Sequence, residues 1–486
     1  MNEIDNIAPI DLDNPGAYGP LLKNVQGNIV KGHARDLANH IFITFTGGAA
    51  AARNWLRTLE PEVTSAFQQQ QDSNEFKRSR RDDLPFLSVF LTAAGYGYLG
   101  LTGAMPPEQG GSFRAGMRKT GRVLNDLPPD EWRDPNWRKL GQPATALHAM
   151  VLTANDNGGR LRQDTEGIIH SLKGLGEFFI ESGKMLYPDG DKNKPREHFG
   201  YIDGISNPIF DKEDLEKEDG YQTDDGGWRF SSWDPFAPLN LVLVRESGAS
   251  PAEPRYGSFL VFRKLEQNVR DFRADILQLS ANLARGGAAQ ARAMALVMGR
   301  FPDGTPVTVH PNSVSSHPFA NDFSYVSAGG RCPFRGHIRR ANPRGEQEPP
   351  REEEAMRRIA RRGIPYGDRA RDLSDSPADG VGLLFMCYQS DIARHFEHIQ
   401  KEWCNWEFNF DAIVGQGRVV KQLPPIERER NTEWPRKWAT TAEETNNPVA
   451  DWPAHARLDN FEFGRYVTLK GGEYFFAPSK PSLRDL

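Results

Sequence analysis

Cysteine is scarce in this chain: three in 486 residues, Cys332, Cys387 and Cys404, none at CxxC spacing. That excludes a disulfide framework and a cysteine-ligated zinc site. No run approaches the ~20 apolar positions that a membrane-spanning helix needs. Residues 1–18 carry neither a cationic start nor an apolar segment, so the sequence predicts a soluble, cytoplasmic protein with no membrane partner. A surplus of positive charge is also missing. Lys and Arg number 60 against 65 Asp and Glu, a net charge of −5, which argues against a nucleic-acid partner. The Arg-rich pieces at 78–81 and 357–362 are local and read as solvated faces. No GxGxxG or P-loop lies at a strand–helix junction, and no repeat of solenoid length is visible.

What remains is a globular chain, 38% hydrophobic and 26% charged, long enough for sizeable cores and roughly two to four domains. Its two halves carry similar patterns. In the first, residues 40–45, 86–91, 148–153 and 178–180 read as strands. Helices are expected over 50–70, with Trp55, Leu56 and Leu59 on one side, and over 164–175. In the second, strands at 258–263 and 382–388 lead into helices at 268–283 and 390–403. Strand–helix–strand units in each half predict an α+β fold of two ferredoxin-like domains with antiparallel sheets, residues 1–225 and 226–486. The acidic, Gly-rich stretch 211–234 reads as the loop between them. Residues 424–486, Trp- and Pro-rich and weakly periodic, are expected to wrap over the second domain.

One carboxylate is held in an unusual setting. Gly200-Tyr201-Ile202-Asp203-Gly204-Ile205-Ser206-Asn207-Pro208 confines Asp203 between glycines and an Asn-Pro turn, which alone is ordinary turn chemistry. Far downstream stands Cys332-Pro333-Phe334-Arg335-Gly336-His337-Ile338-Arg339-Arg340-Ala341-Asn342-Pro343-Arg344. Together the two segments resemble the GxxDG segment and the haem-ligating histidine segment of dye-decolorising peroxidases. The resemblance extends to residues 26–33, to residues 257–265 and to Arg361-Arg362-Gly363-Ile364-Pro365-Tyr366-Gly367. It covers most of the chain and suits the larger, elaborated branch of that family. Arg335 is a departure, standing where many relatives carry a small residue.

The resemblance implies one haem b per chain, held mainly by the C-terminal domain with His337 as axial iron ligand. Arg339 and Arg340 then become partners of the haem propionates. It makes Asp203 the distal acid–base group and Arg361 the distal arginine, with Arg362 the residue most readily mistaken for it. Leu383 and Phe385 would line the pocket, and Asp391 would support His337, with Glu397 as the alternative. Tyr366, and less directly Trp403 and Trp406, become candidate electron relays to bulky donors. His395 and His398 lack an acid partner at ligand spacing and read as structural.

The implied activity is a peroxidase. Hydrogen peroxide is reduced, and small aromatic donors (dyes, phenolics) are oxidised through a ferryl haem intermediate. Aspartic acid in water titrates near ~3.9, where a distal histidine would already be protonated, so dye oxidation is expected to have an acidic optimum. A haem carrier and an iron-releasing protein of the same fold are the rival readings. The sequence does not fix oligomeric state, and a homo-oligomer is compatible with it.

Overall fold

The computed structural model describes residues 3–415 and 466–486, apart from 122, 142–144, 219, 223–227, 250–253, 284–287, 316–318, 326–331, 334–335, 346–350, 406–410 and 412. Its first half is built on four strands, β1 (Leu37–Phe45), β2 (Phe86–Leu91), β3 (Ala149–Asn155) and β4 (Gly176–Lys184). They lie in the order β4-β1-β3-β2 with every pair antiparallel. That is the arrangement two β-α-β units give when they interleave in one sheet.

The second half repeats it. Strands β5 (Tyr256–Gln267), β6 (Ala360–Arg361), β7 (Ile364–Tyr366), β8 (Gly382–Gln389) and β9 (Val467–Ala477) give the order β9-β5-β8, with β6 and β7 both pairing to β8. The halves join edge to edge through β9 and β2, at the pairing of Phe476 with Leu91. With a two-residue strand at Val244–Arg245 pairing to β5, the described residues form one ten-stranded sheet. Its outer edges curl toward each other: a side chain at Gly183 of β4 would meet Ile364 Cγ2 of β7 at 2.4 Å.

Alternation along the strands divides the core. Ile41, Ile43 and Phe45 of β1 join Val89, Val151 and the Trp55, Leu56 and Leu59 face of helix α1 (Ala49–Leu59). Ala38 and Phe42 face the other way. There Phe42 packs 4.8 Å from both Trp137 and Phe262 and 4.9 Å from Phe179. Phe262 belongs to β5, so this aromatic cluster is where the halves share a core.

Helices depart from the sequence expectation in instructive ways. The stretch 50–70 is two helices, because Pro61 cannot continue the first; α2 (Ala66–Ser79) starts afresh when Ser65 caps Gln68 N at 3.1 Å. Helix α3 (Gly158–Ser171) begins earlier than expected, where Asn157 accepts from the N–H groups of Gly159 and Arg160. The expected helix after β8 forms instead as two widened π-turns, Ala393–Glu397 and Ile399–Cys404. The acidic stretch after 211 is no free linker. Asp211 is buried, caps a short helix and pairs with Lys31 at 3.1 Å. β9 lies within the stretch expected to wrap the second domain, and is a central strand instead.

Candidate active site

One face of the second half-sheet forms the floor of a cavity. Directly paired residues in antiparallel strands project to the same face. Phe385 pairs with Arg263 and Leu383 with Leu265, while Arg361 pairs with Cys387 and Val467 with Gln267. Arg263, Leu265, Gln267, Leu383, Phe385, Arg361 and Val467 all line the cavity, and so do Asp203 and His337. The expected Leu383 and Phe385 positions therefore follow from strand register. Among the described residues, the sheet's contribution to the lining comes from strands of the second half.

Asp203 and Arg361 meet there, with Arg361 Nη1 3.8 Å from Asp203 Oδ1. Both are partly open to solvent, at 26% and 30% side-chain exposure, so small molecules can reach them. The loop carrying Asp203 bends through Gly204 at φ +90°, a conformation glycine adopts without penalty. Gly204 N–H donates to Asp203 Oδ1 at 2.7 Å. Arg361 is aimed by the same loop, since its Nη2 donates to the Ile205 carbonyl at 2.6 Å. Asn207 completes the arrangement: its side-chain oxygen accepts from Arg361 N–H at 3.1 Å and its amide donates back to the Arg361 carbonyl at 3.4 Å. Arg362 points elsewhere, donating to the carbonyls of Asn28, Ile29 and Val30. The N-terminal motif at 26–33 thus occupies Arg362 and leaves Arg361 to the cavity.

Helix α4 (Val269–Leu283) packs on helix α5 (Ala288–Met298), and His337 opens helix α6 (His337–Ala341) beside α5. The approach is close. Gly299, at φ +94°, has room for no side chain, because a Cβ there would fall 2.4 Å from Ile338 Cγ1. His337 Nδ1 lies 2.8 Å from Asp411 Oδ2. Asp411 is fully buried. Burial by itself raises a carboxyl, but the His337 imidazole and the N–H groups of Ile413 and Val414 outweigh it and hold Asp411 below the usual range. An ionised Asp411 accepts Nδ1–H, which leaves Nε2 as the lone-pair nitrogen able to bind a metal.

This overturns the expected support for His337. Asp391 caps the turn after β8, accepting from Arg394 N–H at 2.8 Å and Gln109 N–H at 3.2 Å. Glu397 holds Ser112 and Tyr474 hydroxyls at 2.7 and 2.8 Å. Neither takes the imidazole. Asp411 escaped the sequence reading because its segment carries no periodic pattern. The one local signal is an Asp bonding the N–H groups two and three residues on.

Arg339 and Arg340 are likewise spent outside the cavity. Arg339 donates to the Cys332 carbonyl, and Arg340 Nε to the Trp403 carbonyl at 2.7 Å. The one-turn helix sends both guanidinia back into the protein. Four other buried arginines line the cavity: Arg263, paired with Asp126 at 3.0 Å, Arg358, held by the carbonyls of residues 234–236, and Arg300 and Arg344, which lie together beside the Asp203 loop.

Tyr366 is half-buried, with Lys264 Nζ 5.2 Å from its ring centre and a buried hydroxyl, so it is no exposed oxidation site. Trp403 is buried against His398, and Trp406 lies outside the described residues. His395 is buried against the Arg358 carbonyl, and no cluster of three metal-ligating side chains occurs among the described residues.

The donor set suits a haem. It offers one imidazole with a free lone pair, buried guanidinia for carboxylates, and apolar walls from Leu265, Leu383, Phe385, Phe396, Ile413 and Val467.

A family model described as "Dyp-type peroxidase, C-terminal" matches residues 298–416, the segment that holds His337, Arg361 and Asp411. "Multifunctional dye peroxidase DyP2" of Amycolatopsis sp. is 36% identical over 98% of this chain and 100% of its own length. "Dye-decolorizing peroxidase msp1" of Mycetinis scorodonius is 26% identical over 96% of this chain and 87% of its own. The solved structure of an Anabaena sp. DyP-type peroxidase superposes with a TM-score of 0.83 at 32% identity, covering 100% of this chain and 99% of that one. A dye-decolorising peroxidase solved with 2,6-dimethoxyphenol superposes at 0.68 and 25% identity, covering 95% and 98%.

Proposed function

This chain belongs to the dye-decolorising peroxidase family, whose enzymes depend on haem, and from that we propose how its own residues run the reaction. The reading rests on one observation above all: a carboxylate and a guanidinium 3.8 Å apart in the same cavity as an imidazole backed by a buried carboxylate. His337 Nε2 would hold the iron of one haem b per chain, with Arg300 and Arg344 receiving its propionates. The haem supplies the redox centre at which peroxide is reduced and organic donors are oxidised.

The chain's residues do the rest. Asp203 accepts the proton of hydrogen peroxide's inner oxygen and delivers it to the outer one, so that water leaves. Arg361 stabilises the negative charge that builds on the departing oxygen. Its backbone is clamped by Asn207, so the guanidinium is aimed before substrate arrives. Asp411 keeps His337 in the tautomer that offers Nε2 and makes the imidazole a stronger donor. Each turnover then takes one electron from each of two donor molecules. A small phenol is the donor class best supported, given the relative solved with 2,6-dimethoxyphenol.

The test is stopped-flow mixing of haem-loaded protein with peroxide. Asp203→Asn and Arg361→Leu are each expected to slow the first spectral change by about 10²-fold or more, in line with loss of a general acid–base or a charge-stabilising group. His337→Ala is expected to lose or grossly alter the Soret band. A first step untouched in both distal variants would sink the assignment.

A further inference from the structure

Three residues past Asp203 stands Ser206, a non-glycine residue at φ +66°. Seven residues past His337 stands Arg344, at φ +57°. Left-handed backbone is uncommon outside glycine, and it persists only where the surroundings hold it. These two residues hold each other.

Ser206 Oγ donates to Asn321 Oδ1 at 2.7 Å, and accepts from Arg300 Nη2 at 3.1 Å and Arg344 Nη2 at 3.2 Å. A hydroxyl has one proton and two lone pairs, so every hydrogen-bonding position is filled. Asn321 closes the ring, accepting from Arg344 Nη2 at 2.7 Å and Arg300 Nη2 at 3.2 Å. Both arginines brace their other nitrogen on backbone: Arg344 Nη1 on the carbonyls of Asn321 and Phe323, Arg300 Nη1 on those of Gly304 and Ala320.

Loop 203–207 is therefore pinned from two sides by successive residues. Ile205 and Asn207 hold Arg361, whereas Ser206 between them holds the arginines that would receive an anion in the cavity. A shift of those guanidinia toward a bound carboxylate pulls on a hydroxyl that is three residues from the Asp203 carboxylate.

Building on the function proposed above, we propose that Ser206 is a positioning residue that couples occupation of the Arg300–Arg344 anion site to the placement of Asp203. Cofactor seating and acid–base geometry are then set together. A carboxylate that fixes the two guanidinia fixes Ser206 with them, so loading steadies a loop that is already hydrogen-bonded without it.

Hydrogen exchange on haem-free and haem-loaded protein reads this without turnover. In the parent protein, loading is expected to slow exchange at the amides of residues 204–207 about tenfold. Ser206→Gly keeps the left-handed backbone but removes the hydroxyl. It is expected to abolish that protection, slow the peroxide step about tenfold, and speed haem transfer to an acceptor apoprotein several-fold. Ser206→Asn, which tolerates positive φ and supplies both a donor and an acceptor, is expected to recover most of each effect. Loading-dependent protection that survives in Ser206→Gly, with an unchanged peroxide rate, would overturn the coupling. Failure of the catalytic reading is a separate outcome, seen as an Asp203→Asn variant with full peroxide reactivity. The exchange data still decide the role of Ser206 in that case.

Discussion

At the level of single residues, the candidate site divides into what a side chain's neighbours in sequence dictate and what only the fold brings together. Asp203, His337, Leu383 and Phe385 are legible only through segments that resemble those of a known family, and the fold brings all four to one cavity. Arg361 was separable from Arg362 only through the motif, since nothing in two adjacent arginines says which one turns inward. The structure supplies the reason: the carbonyls of residues 28–30 occupy Arg362. Asp411 is illegible, a lone acid far from His337 in sequence, whereas the family pattern points to Asp391 because it follows the apolar strand. The two acids make opposite predictions. Asp411→Asn is expected to raise the haem reduction potential in a redox titration and to slow the peroxide step by about 10- to 100-fold, the usual range for losing a partner of a metal-bound histidine. Asp391→Asn removes only a turn cap, and its haem spectrum and potential should match the parent.

Among elements, the strands were easier to read than the helices. Short, near-continuous runs of β-branched and aromatic residues in 40–45 and 258–263 mark strands buried on both faces, whereas helix limits depend on caps and breaks such as Ser65, Asn157 and Pro61. β9 is hidden in the sequence because Gly471 and Gly472 interrupt its pattern, and a register shift at that point lets the strand pass Trp137. The seat of helix α6 carries a prediction of its own. Gly299→Ala must place a methyl against Ile338 in a left-handed backbone. The conformation costs about 1–2 kcal/mol and the overpacking about 1–3 kcal/mol more. Denaturant unfolding should show the loss, and α6 should shift enough that the variant retains less haem after gel filtration. Gly204→Ala has open space around its Cβ, so the conformational part alone should appear there.

For the whole molecule, acid is expected to act on stability and activity in opposite directions. His40, His148, His198 and His395 are each at most 5% exposed, and burial pushes each imidazole down to about 4. Unfolded histidine titrates near ~6.5. Between those values the unfolded chain binds protons that the folded one refuses, so stability is complete above ~6.5 and falls as pH drops toward 4. Thermal unfolding across pH 4–8 should show a plateau and then a decline. A melting temperature that rose on acidification would contradict the buried neutral histidines. Dye oxidation, with Asp203 as the base, is expected to peak on the acid side, so sustained turnover should fall off sooner than the initial rate. The joining of the half-sheets has a further consequence, for the chain as it is made. Most of the outer edge of β2 is closed within the first half, since Thr64 pairs with the N–H and carbonyl of Leu87 and Gln26 with those of Val89, so only Leu91 waits for Phe476 of β9. A first half made before β9 therefore shows only a short piece of open strand edge, a poor template for a wrong partner. Crowded synthesis should then yield few exchanged dimers, whereas Gln26→Ala, which uncovers Val89, should raise their share on gel filtration.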